Sequence, residues 1–252
     1  MNSKVMRLVV IVVFFSIWEL LPDLGLVNPK FLTPASVVFQ TLWHLIQSGE
    51  LVNHFRISLT RIGFGLGLAF VVACPLGLVM GWFRGVELAI DAPLQAGRQI
   101  SALALFPVFI LFFGIGEVSK VVIIFWASVW PVLLNTITGV KGIDPLLIKS
   151  ARSMDASAFT LFRKVVLPAA APAIFTGVRL GASYAFMVLV AAEMIGANAG
   201  LGFLVLNSQE TFRIPEMYAA ITALCLLGLT INNILLACEQ RVSRWKEVRE
   251  VH

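Results

Sequence analysis

Charged side chains are scarce in this chain of 252 residues, where Asp, Glu, Lys and Arg together make up only 13%. A soluble domain carries roughly 25% charged residues, so the composition argues against an ordinary soluble globular protein. Histidine and cysteine number three each and share no metal-ligand spacing, which leaves no candidate metal site and no metal-dependent catalytic site. The chain also lacks the G-x-x-x-x-G-K-[ST] sequence of nucleotide-binding loops, so it cannot power transport by itself.

Hydrophobic residues, by contrast, make up 59% of the chain, and the mean hydropathy is +0.91. The hydrocarbon core of a bilayer is about 30 Å thick, which an α-helix of about 20 residues spans. The apolar runs predict an all-α integral membrane protein, a single domain over residues 1–252 with six transmembrane helices. The approximate spans are 5–22, 60–82, 99–115, 120–140, 172–195 and 217–238. A cleavable signal peptide is the alternative for the first span, but the bulky residues 18–22 offer no small-residue cleavage site.

The distribution of Lys and Arg predicts the orientation of these spans. With the N-terminus inside, the inner segments carry 13 of these side chains and the outer loops carry 4, including Lys30, Arg56 and Lys120. Since cytoplasmic loops are enriched in Lys and Arg, both termini are predicted to be cytoplasmic. This asymmetry accounts for most of the net charge of +5, so nucleic acid is a poor explanation for it.

Two further segments carry a structural prediction. Residues 34–48 place Val38, Leu42 and Leu45 on one face, which predicts an amphipathic helix that Gly49 ends. This helix is expected to lie along the outer interface or to pack on the bundle. Thr33 is expected to be its N-cap, with proline at the first helical position. The second span is rich in glycine, which predicts close helix packing because small residues allow helices to approach closely in a membrane. A moving hinge is the alternative role for these glycines.

A polar segment, KSARSMDASAFTLFRKVVLP over 149–168, lies between the fourth and fifth spans. Capping residues divide it into two helices. Asp144-Pro145 begins a helix of about three turns, and Asp155 ends it. Ser157 caps the second helix, which Leu167-Pro168 ends by turning the chain into the fifth span. An ordinary basic loop that fixes orientation is the alternative, but such loops rarely carry two capped helices.

The same segment resembles the cytoplasmic EAA loop of permease subunits from bacterial binding-protein-dependent ABC importers. That loop reads roughly E-A-A-x-x-x-G, followed some ten or more residues later by an apolar pair and L-P. Ala151 matches the second alanine, Arg152 the adjacent basic residue, and Leu167-Pro168 the ending. Lys149 stands at the glutamate, which reverses the charge at the implied ATPase contact. Asp155 stands at the glycine, where a left-handed conformation is expected that Asp tolerates.

Other segments resemble the nitrate/sulfonate/taurine subgroup of these permeases, so that the resemblance covers essentially the whole chain. They are Leu32–Val38, Ser58–Arg61, Pro107–Glu117 and Glu193–Gly202. The resemblance implies the type I ABC importer permease fold, with a cytoplasmic coupling helix in a coupling loop over 144–168. It also implies a multi-pass protein of the bacterial cytoplasmic (inner) membrane.

The function implied by the resemblance is that of the transmembrane subunit of an ATP-driven importer, which translocates a small anionic or zwitterionic solute. Its implied partners are two copies of an ABC ATPase subunit, a second permease copy in a homodimer or heterodimer, an extracytoplasmic solute-binding protein and membrane lipid. The chain itself would be non-catalytic and bind no cofactor, because the partner ATPase uses the ATP. The implied ATPase-coupling residues are Leu147, Lys149, Ala151, Arg152, Met154, Asp155, Ala156, Leu167 and Pro168.

Candidates for the transport pathway or its gate come from the spans. Pro107 and Pro131 predict kinks in central helices, because each removes an intrahelical hydrogen bond. Arg179 and Glu193 are ionisable residues within the fifth span, where such groups are functional candidates. They lie roughly 21 Å apart along an ideal helix and cannot pair directly. A structural hydrogen bond to a neighbouring helix is the alternative role for Glu193, and His54 is expected to be solvated.

Three other functions remain alternatives. An ion-coupled secondary transporter could use Glu193 in a relay, although such proteins normally have more spans and detectable repeats. An ABC importer of a pyrimidine-type vitamin precursor is also compatible with the subgroup, since the binding protein usually selects the substrate. A membrane-embedded enzyme is the third, but no hydrolytic or metal constellation lies in the spans.

Overall fold

The chain is helical through almost all of the part that the structure describes. The computed structural model describes residues 3–28 and 31–247, and no strand occurs within those ranges. The helices are α1 (Ser3–Asp23), α2 (Ala35–Gln47), α3 (Glu50–Trp82), α4 (Arg84–Gln99), α5 (Ala102–Phe113), α6 (Glu117–Lys141), α7 (Pro145–Ser153), α8 (Ala158–Leu161), α9 (Leu167–Gly196), α10 (Leu201–Glu210) and α11 (Ile214–Glu247). A π-helical turn, Phe162–Val166, joins α8 to α9. The predicted all-α class is confirmed.

Four helical stretches of the described residues are long and apolar enough to cross a bilayer. They are Glu50–Trp82, Glu117–Lys141, Ala158–Gly196 and Ile214–Val242, which correspond to the predicted second, fourth, fifth and sixth spans. The pair α4 and α5 adds a fifth if the two bent helices are counted together. The predicted first span falls on a shorter apolar stretch, Leu8–Pro22.

A bend lies at the N-terminal end of the predicted third span. The sequence indicates a span over approximately 99–115, and α5 covers Ala102–Phe113 of it, after a 95° bend between α4 and α5. Ile100 and Ser101 have extended backbone conformations, with ψ of 120° and 126°, and they form the break. Helix α4 was not predicted at all. It carries Glu87, Asp91 and Arg98, so its polar surface gives no hydropathy signal.

The described residues form two compact units. One holds the described residues through Ser58 together with Glu193–Leu227, and the other holds Leu59–Ala192 and the described residues from Gly228 onward. The core of the second unit includes Met80 of α3, Ile123, Ile124 and Val132 of α6, and Leu189 of α9, all of them buried.

Close packing of α3 against α6 accounts for part of the glycine content of α3. A Cβ atom at Gly65 would lie 2.4 Å from the Cγ2 atom of Ile124, and one at Gly77 would lie 2.7 Å from the Cβ atom of Thr136. Neither position leaves room for a side chain. The packing role predicted for the glycines of the second span is confirmed at these two positions.

The predicted amphipathic helix is present as α2 in the first unit. Val38 and Leu45 are buried, and Gly49 follows the helix with φ of +79°, as expected for a helix end. The predicted N-cap is wrong, because Pro34 occupies that position and no side chain of its own caps the helix. Instead, the Glu19 carboxylate of α1 accepts hydrogen bonds from Ser36 N at 2.9 Å and Ser36 Oγ at 2.6 Å. A negative charge at a helix N-terminus is stabilising, so α1 supplies the missing cap.

Candidate coupling segment and buried carboxylate cluster

Helix α7 begins as its sequence predicts. Asp144 is the N-cap, and its Oδ1 atom accepts a hydrogen bond from Leu146 N at 2.8 Å. Pro145 occupies the first helical position, where its missing N–H costs nothing. The predicted cap is therefore confirmed, and it sets the start of the candidate coupling segment, defined here as residues 144–168.

The turn after α7 is a Schellman motif centred on Asp155. Ala156 N donates to Ala151 O at 3.2 Å, and Asp155 N donates to Arg152 O at 3.0 Å. Asp155 has φ of 53°, the left-handed conformation that this motif requires. The predicted left-handed turn is confirmed, and Asp155 occupies the position that favours glycine.

Substitution of Asp155 by glycine is expected to stabilise this turn by about 1 kcal/mol, because glycine adopts the left-handed conformation without a Cβ clash. Amide hydrogen exchange at Ala156, whose N–H is held by the turn, should slow by about fivefold. Glycine at Ser153, in the last turn of α7, is the matched control and should speed exchange there, since glycine weakens a helix. Equal effects of the two substitutions would contradict the proposed strain at Asp155.

The second half of the segment differs from the prediction at its end. Ser157 caps α8, since its Oγ atom accepts from Thr160 N at 3.3 Å, as expected. Leu167-Pro168 does not end this helix, however. The π-helical turn Phe162–Val166 carries the chain directly into α9, and Leu167 N donates to Phe162 O. Pro168 has no N–H for the carbonyl four residues earlier, and a π-turn accommodates that missing bond without breaking the helix.

One face of the segment is packed and the other is exposed. Ile148 and Phe162 pack against a buried cluster that includes Val140 of α6 and Ala170 of α9. The exposed large hydrophobic side chains are Leu146 at 68%, Met154 at 82% and Phe159 at 72%. Among the predicted coupling residues, Lys149, Arg152, Met154, Asp155, Leu167 and Pro168 are exposed, whereas Leu147, Ala151 and Ala156 are half-buried. The exposed part of the segment therefore combines apolar groups with cations, which include Lys149 and Arg152.

The second candidate, Glu193, lies at the centre of a buried hydrogen-bond cluster. Its side chain is fully buried, and Ser58 Oγ of α3 donates to both carboxylate oxygens at 2.8 and 2.9 Å. Gly202 N at the start of α10 donates to Oε2 at 2.8 Å. Ser58 Oγ in turn accepts from Leu201 N at 2.9 Å. Glu193 thus bonds to neighbouring helices, as the structural alternative for this residue expects, while a gating role stays a prediction.

The loop before α10 is held by a histidine that the sequence did not indicate. Gly200 N donates to His54 Nδ1 at 3.0 Å, and His54 is buried, so the prediction of a solvated His54 was wrong. Gly200 has φ of +123°, and a Cβ atom there would lie 2.4 Å from the carboxylate of Glu193. His54 and Ser58 are four residues apart and share one face of α3. That spacing is a sequence signal for this pair, and Ser58 also lies in the segment Ser58–Arg61 that carries the family resemblance.

Arg179, the other ionisable candidate, pairs within the second unit, as do Arg61 and Lys120. Arg179 Nε lies 3.2 Å from Glu239 Oε2, and Thr176 Oγ1 donates to Glu239 Oε1 at 2.7 Å. Arg61 makes a two-atom contact with Glu117, with both distances 2.6 Å. Lys120, counted from the sequence with the outer loops, lies in the first turn of α6, where it is buried and donates to a backbone carbonyl.

The two proline candidates differ in their surroundings. Pro131 of α6 borders a cleft of about 370 Å³, which is also lined by residues of α9 and of the break between α4 and α5. Pro107 lies within α5 on an exposed surface and is not among the residues that line this cleft. The structure therefore associates one of the two predicted pathway prolines with a cavity.

Comparison with known proteins extends these observations. Residues 65–245 match the family model described as "Binding-protein-dependent transport system inner membrane component". A Methanocaldococcus jannaschii protein whose name places it among ABC transporter permeases is 38% identical over 92% of this chain and 88% of its own length. The taurine transport system permease protein TauC of Escherichia coli is 32% identical, with coverage of 92% and 86%. The nitrate import permease protein NrtB of Synechocystis is 30% identical, with coverage of 73% and 67%.

A solved structure shares the fold. A chain from crystals of the inward-facing MetNI methionine ABC transporter superposes with a TM-score of 0.61, covering 79% of this chain and 96% of the other at 20% identity. At that identity the likeness concerns the helical architecture alone.

Proposed function

The chain belongs to the family of binding-protein-dependent transport system inner membrane components, and on that premise we propose that it is the transmembrane subunit of an ATP-driven importer of small anionic or zwitterionic solutes. The names of relatives, which refer to taurine and nitrate, support this solute class. The chain contains no nucleotide-binding loop, so a separate ATPase subunit uses the ATP and this chain is non-catalytic.

The observation that carries the proposal is the exposed apolar face of the candidate coupling segment. Leu146, Met154 and Phe159 are each more than two-thirds exposed on a segment that its caps hold in a defined shape. Large apolar side chains left exposed on a segment with this much charge favour a protein interaction site. We assign them to the contact with the ATPase, where Lys149 and Arg152 set the charge that the partner has to match.

The continuous helix from α8 through α9 supports a direct mechanical link between the coupling segment and a membrane-spanning helix. A displacement of α7 and α8 by the ATPase is transmitted through the π-helical turn Phe162–Val166 into a stretch that spans the bilayer. Packed helices that move as rigid bodies switch between discrete arrangements rather than deforming continuously. On this proposal ATP-driven movement of the ATPases shifts α9 and alternates access to the solute.

The proposed assembly contains two ATPase subunits, a second permease copy as a homodimer and an extracytoplasmic binding protein. The excess of Lys and Arg in one set of loops supports cytoplasmic termini and a cytoplasmic coupling segment. Two cations in that count, Lys30 and Arg249, lie outside the described residues. Four of the counted cations lie within the segment, namely Lys149, Arg152, Arg163 and Lys164, and all are exposed.

The test is reconstitution of the full chain with the ATPase and binding protein encoded beside it. Co-purification of the ATPase is expected, followed by uptake of labelled taurine, an alkanesulfonate or nitrate into proteoliposomes that requires ATP and the binding protein. A partner ATPase with its nucleotide-loop lysine replaced by alanine is the control and should support no uptake. Failure to capture any ATPase, or uptake driven by a proton gradient alone, would refute the proposal.

A further inference from the structure

Helix α11 carries two adjacent polar residues inside an apolar span. Asn232 and Asn233 lie within Ile214–Val242, a stretch that is long and apolar enough to cross a bilayer. Both side chains are exposed, and neither side-chain amide forms a hydrogen bond with another described residue. An amide in hydrocarbon without a hydrogen-bond partner is costly, so these two groups require partners from outside the described residues.

One face of α11 in the second unit is packed against α9. A Cβ atom at Gly228 would lie 3.3 Å from the ring of Phe186, so the two helices approach closely there. Ile231 packs against a buried hydrophobic cluster of the same unit. Glu239 pairs with Arg179 of α9. These three positions of α11 share one side of the helix, which is therefore the side that faces α9.

A stripe of four residues follows a different side of α11. Leu229, Asn233, Leu236 and Gln240 are separated by four, three and four positions, which is the a/d spacing of a heptad repeat. Leu229 is 59% exposed, Asn233 and Gln240 are exposed, and Leu236 is half-buried. On an ideal helix this stripe lies roughly 120° around the axis from the side that faces α9. It is therefore available to a second helix.

The chemistry of Asn233 suits a second copy of the same chain. Two copies inserted in the same direction are related by a two-fold axis along the membrane normal, so their α11 helices run parallel and each residue on the axis meets its counterpart. A side-chain amide both donates and accepts hydrogen bonds, so two Asn233 side chains satisfy each other. A lipid tail offers neither group and leaves the amide unpaired.

We propose that this stripe is the contact between two copies of the chain and that a pair of Asn233 amides fixes its register, an inference that rests on the proposed function because it requires a second permease copy. Leu229 and Leu236 pack across the two-fold axis on either side of the amide pair. Gln240 lies one heptad beyond Asn233, and its amide pairs in the same way. Hydrogen bonds between helices stabilise association in membranes, and a polar residue at one a position specifies register.

Disulfide cross-linking of the full chain in liposomes tests the position of the contact. The 3 native cysteines are replaced by alanine, and one new cysteine is then introduced into each variant. Leu229→Cys and Leu236→Cys are expected to give disulfide-linked dimers on mild oxidation. Ile234→Cys is the matched control, because Ile234 is 58% exposed at a similar depth but lies on another side of α11, and it should stay monomeric. Equal cross-linking of all three variants, or none on the stripe, would overturn the contact.

Self-association in liposomes tests the amide pair. Energy transfer between copies that carry donor and acceptor fluorescent proteins is measured as the ratio of lipid to protein is raised. Asn233→Leu is expected to weaken association roughly tenfold, whereas Asn233→Gln, which keeps an amide, should retain most of it. Asn232→Leu is the matched control, because it removes the neighbouring exposed amide beside the stripe, and it should leave association unchanged.

Two results would overturn the role of Asn233. One is equal association of the Asn233→Leu variant and the original chain. The other is a loss of ATP-driven uptake by Asn233→Leu without any change in association, which would place this amide in the solute pathway instead. The cross-linking and association assays contain no ATPase, binding protein or solute, so they succeed or fail independently of the uptake that tests the proposed function.

Discussion

Replacement of Ala151 by glutamate is expected to reduce ATP-driven uptake by about 100-fold, because an unpaired carboxylate buried in a protein interface costs several kcal/mol. Ala151 is half-buried on α7, and its carbonyl accepts the Ala156 N–H that closes the turn. A larger charged side chain there would hold the apolar face of Leu146 and Met154 away from the ATPase. ATP hydrolysis by the assembled complex should continue, so that the variant is uncoupled rather than unassembled.

The measurement is uptake and ATP hydrolysis in the same proteoliposomes, reported as solute transported per ATP. Ala151→Ser, which adds little volume and no charge, should transport at close to the original rate. Ala89→Glu places the same side chain at an exposed site on α4, outside the coupling segment, and should also preserve transport. If Ala151→Glu retains a normal ratio of transport to hydrolysis, this part of α7 does not form the coupling contact.

Local features of this fold could be predicted because their hydrogen bonds join residues near one another in sequence. The Asp144 cap and the turn at Asp155 each depend on residues within six positions, so the residue types alone specify them. The Glu193 cluster could not be predicted in this way. Its bonds to Ser58 cross 135 residues, and the His54–Gly200 bond crosses 146. These partners become neighbours only when the chain folds, so no local sequence pattern predicts that they form hydrogen bonds with each other.

The errors over 84–115 and at residue 168 have a different origin. Hydropathy reports which residues can lie in a bilayer, but it does not report where a helix breaks. The uncharged run that begins at Gln99 therefore predicted a span over 99–115 without the bend at Ile100 and Ser101. At Pro168 the residue type indicates a helix end, whereas a π-turn upstream allows the helix to continue. In both places the same residue types are compatible with two backbone conformations, a continuous helix and a helix that is interrupted.

Substitution of Gly200 by alanine is expected to lower the free energy of unfolding by more than about 3 kcal/mol, because it combines a backbone penalty with a steric clash. With φ of +123°, the backbone adopts a conformation that only glycine takes readily. The new methyl group would lie 2.4 Å from the Glu193 carboxylate. The carboxylate is held in place by hydrogen bonds from Ser58 and Gly202, so moving it away from the methyl group would break them. Reversible unfolding in detergent micelles measures the loss.

Gly49 separates the two parts of this penalty, since it has φ of +79° but open space within 4 Å of the position that a methyl group would take. Gly49→Ala should cost only the backbone part, about 1–2 kcal/mol. The clash is then tested by a double-mutant cycle with Glu193→Ala, which by itself leaves the Ser58 hydroxyl and the Gly202 N–H without this acceptor. Because the second substitution removes the atoms that the Gly200 methyl group meets, the double variant should be more stable than the sum of the single effects by about 1–3 kcal/mol. Simple additivity would mean that the carboxylate does not constrain the loop before α10, and the glycine would then be required only for its backbone conformation.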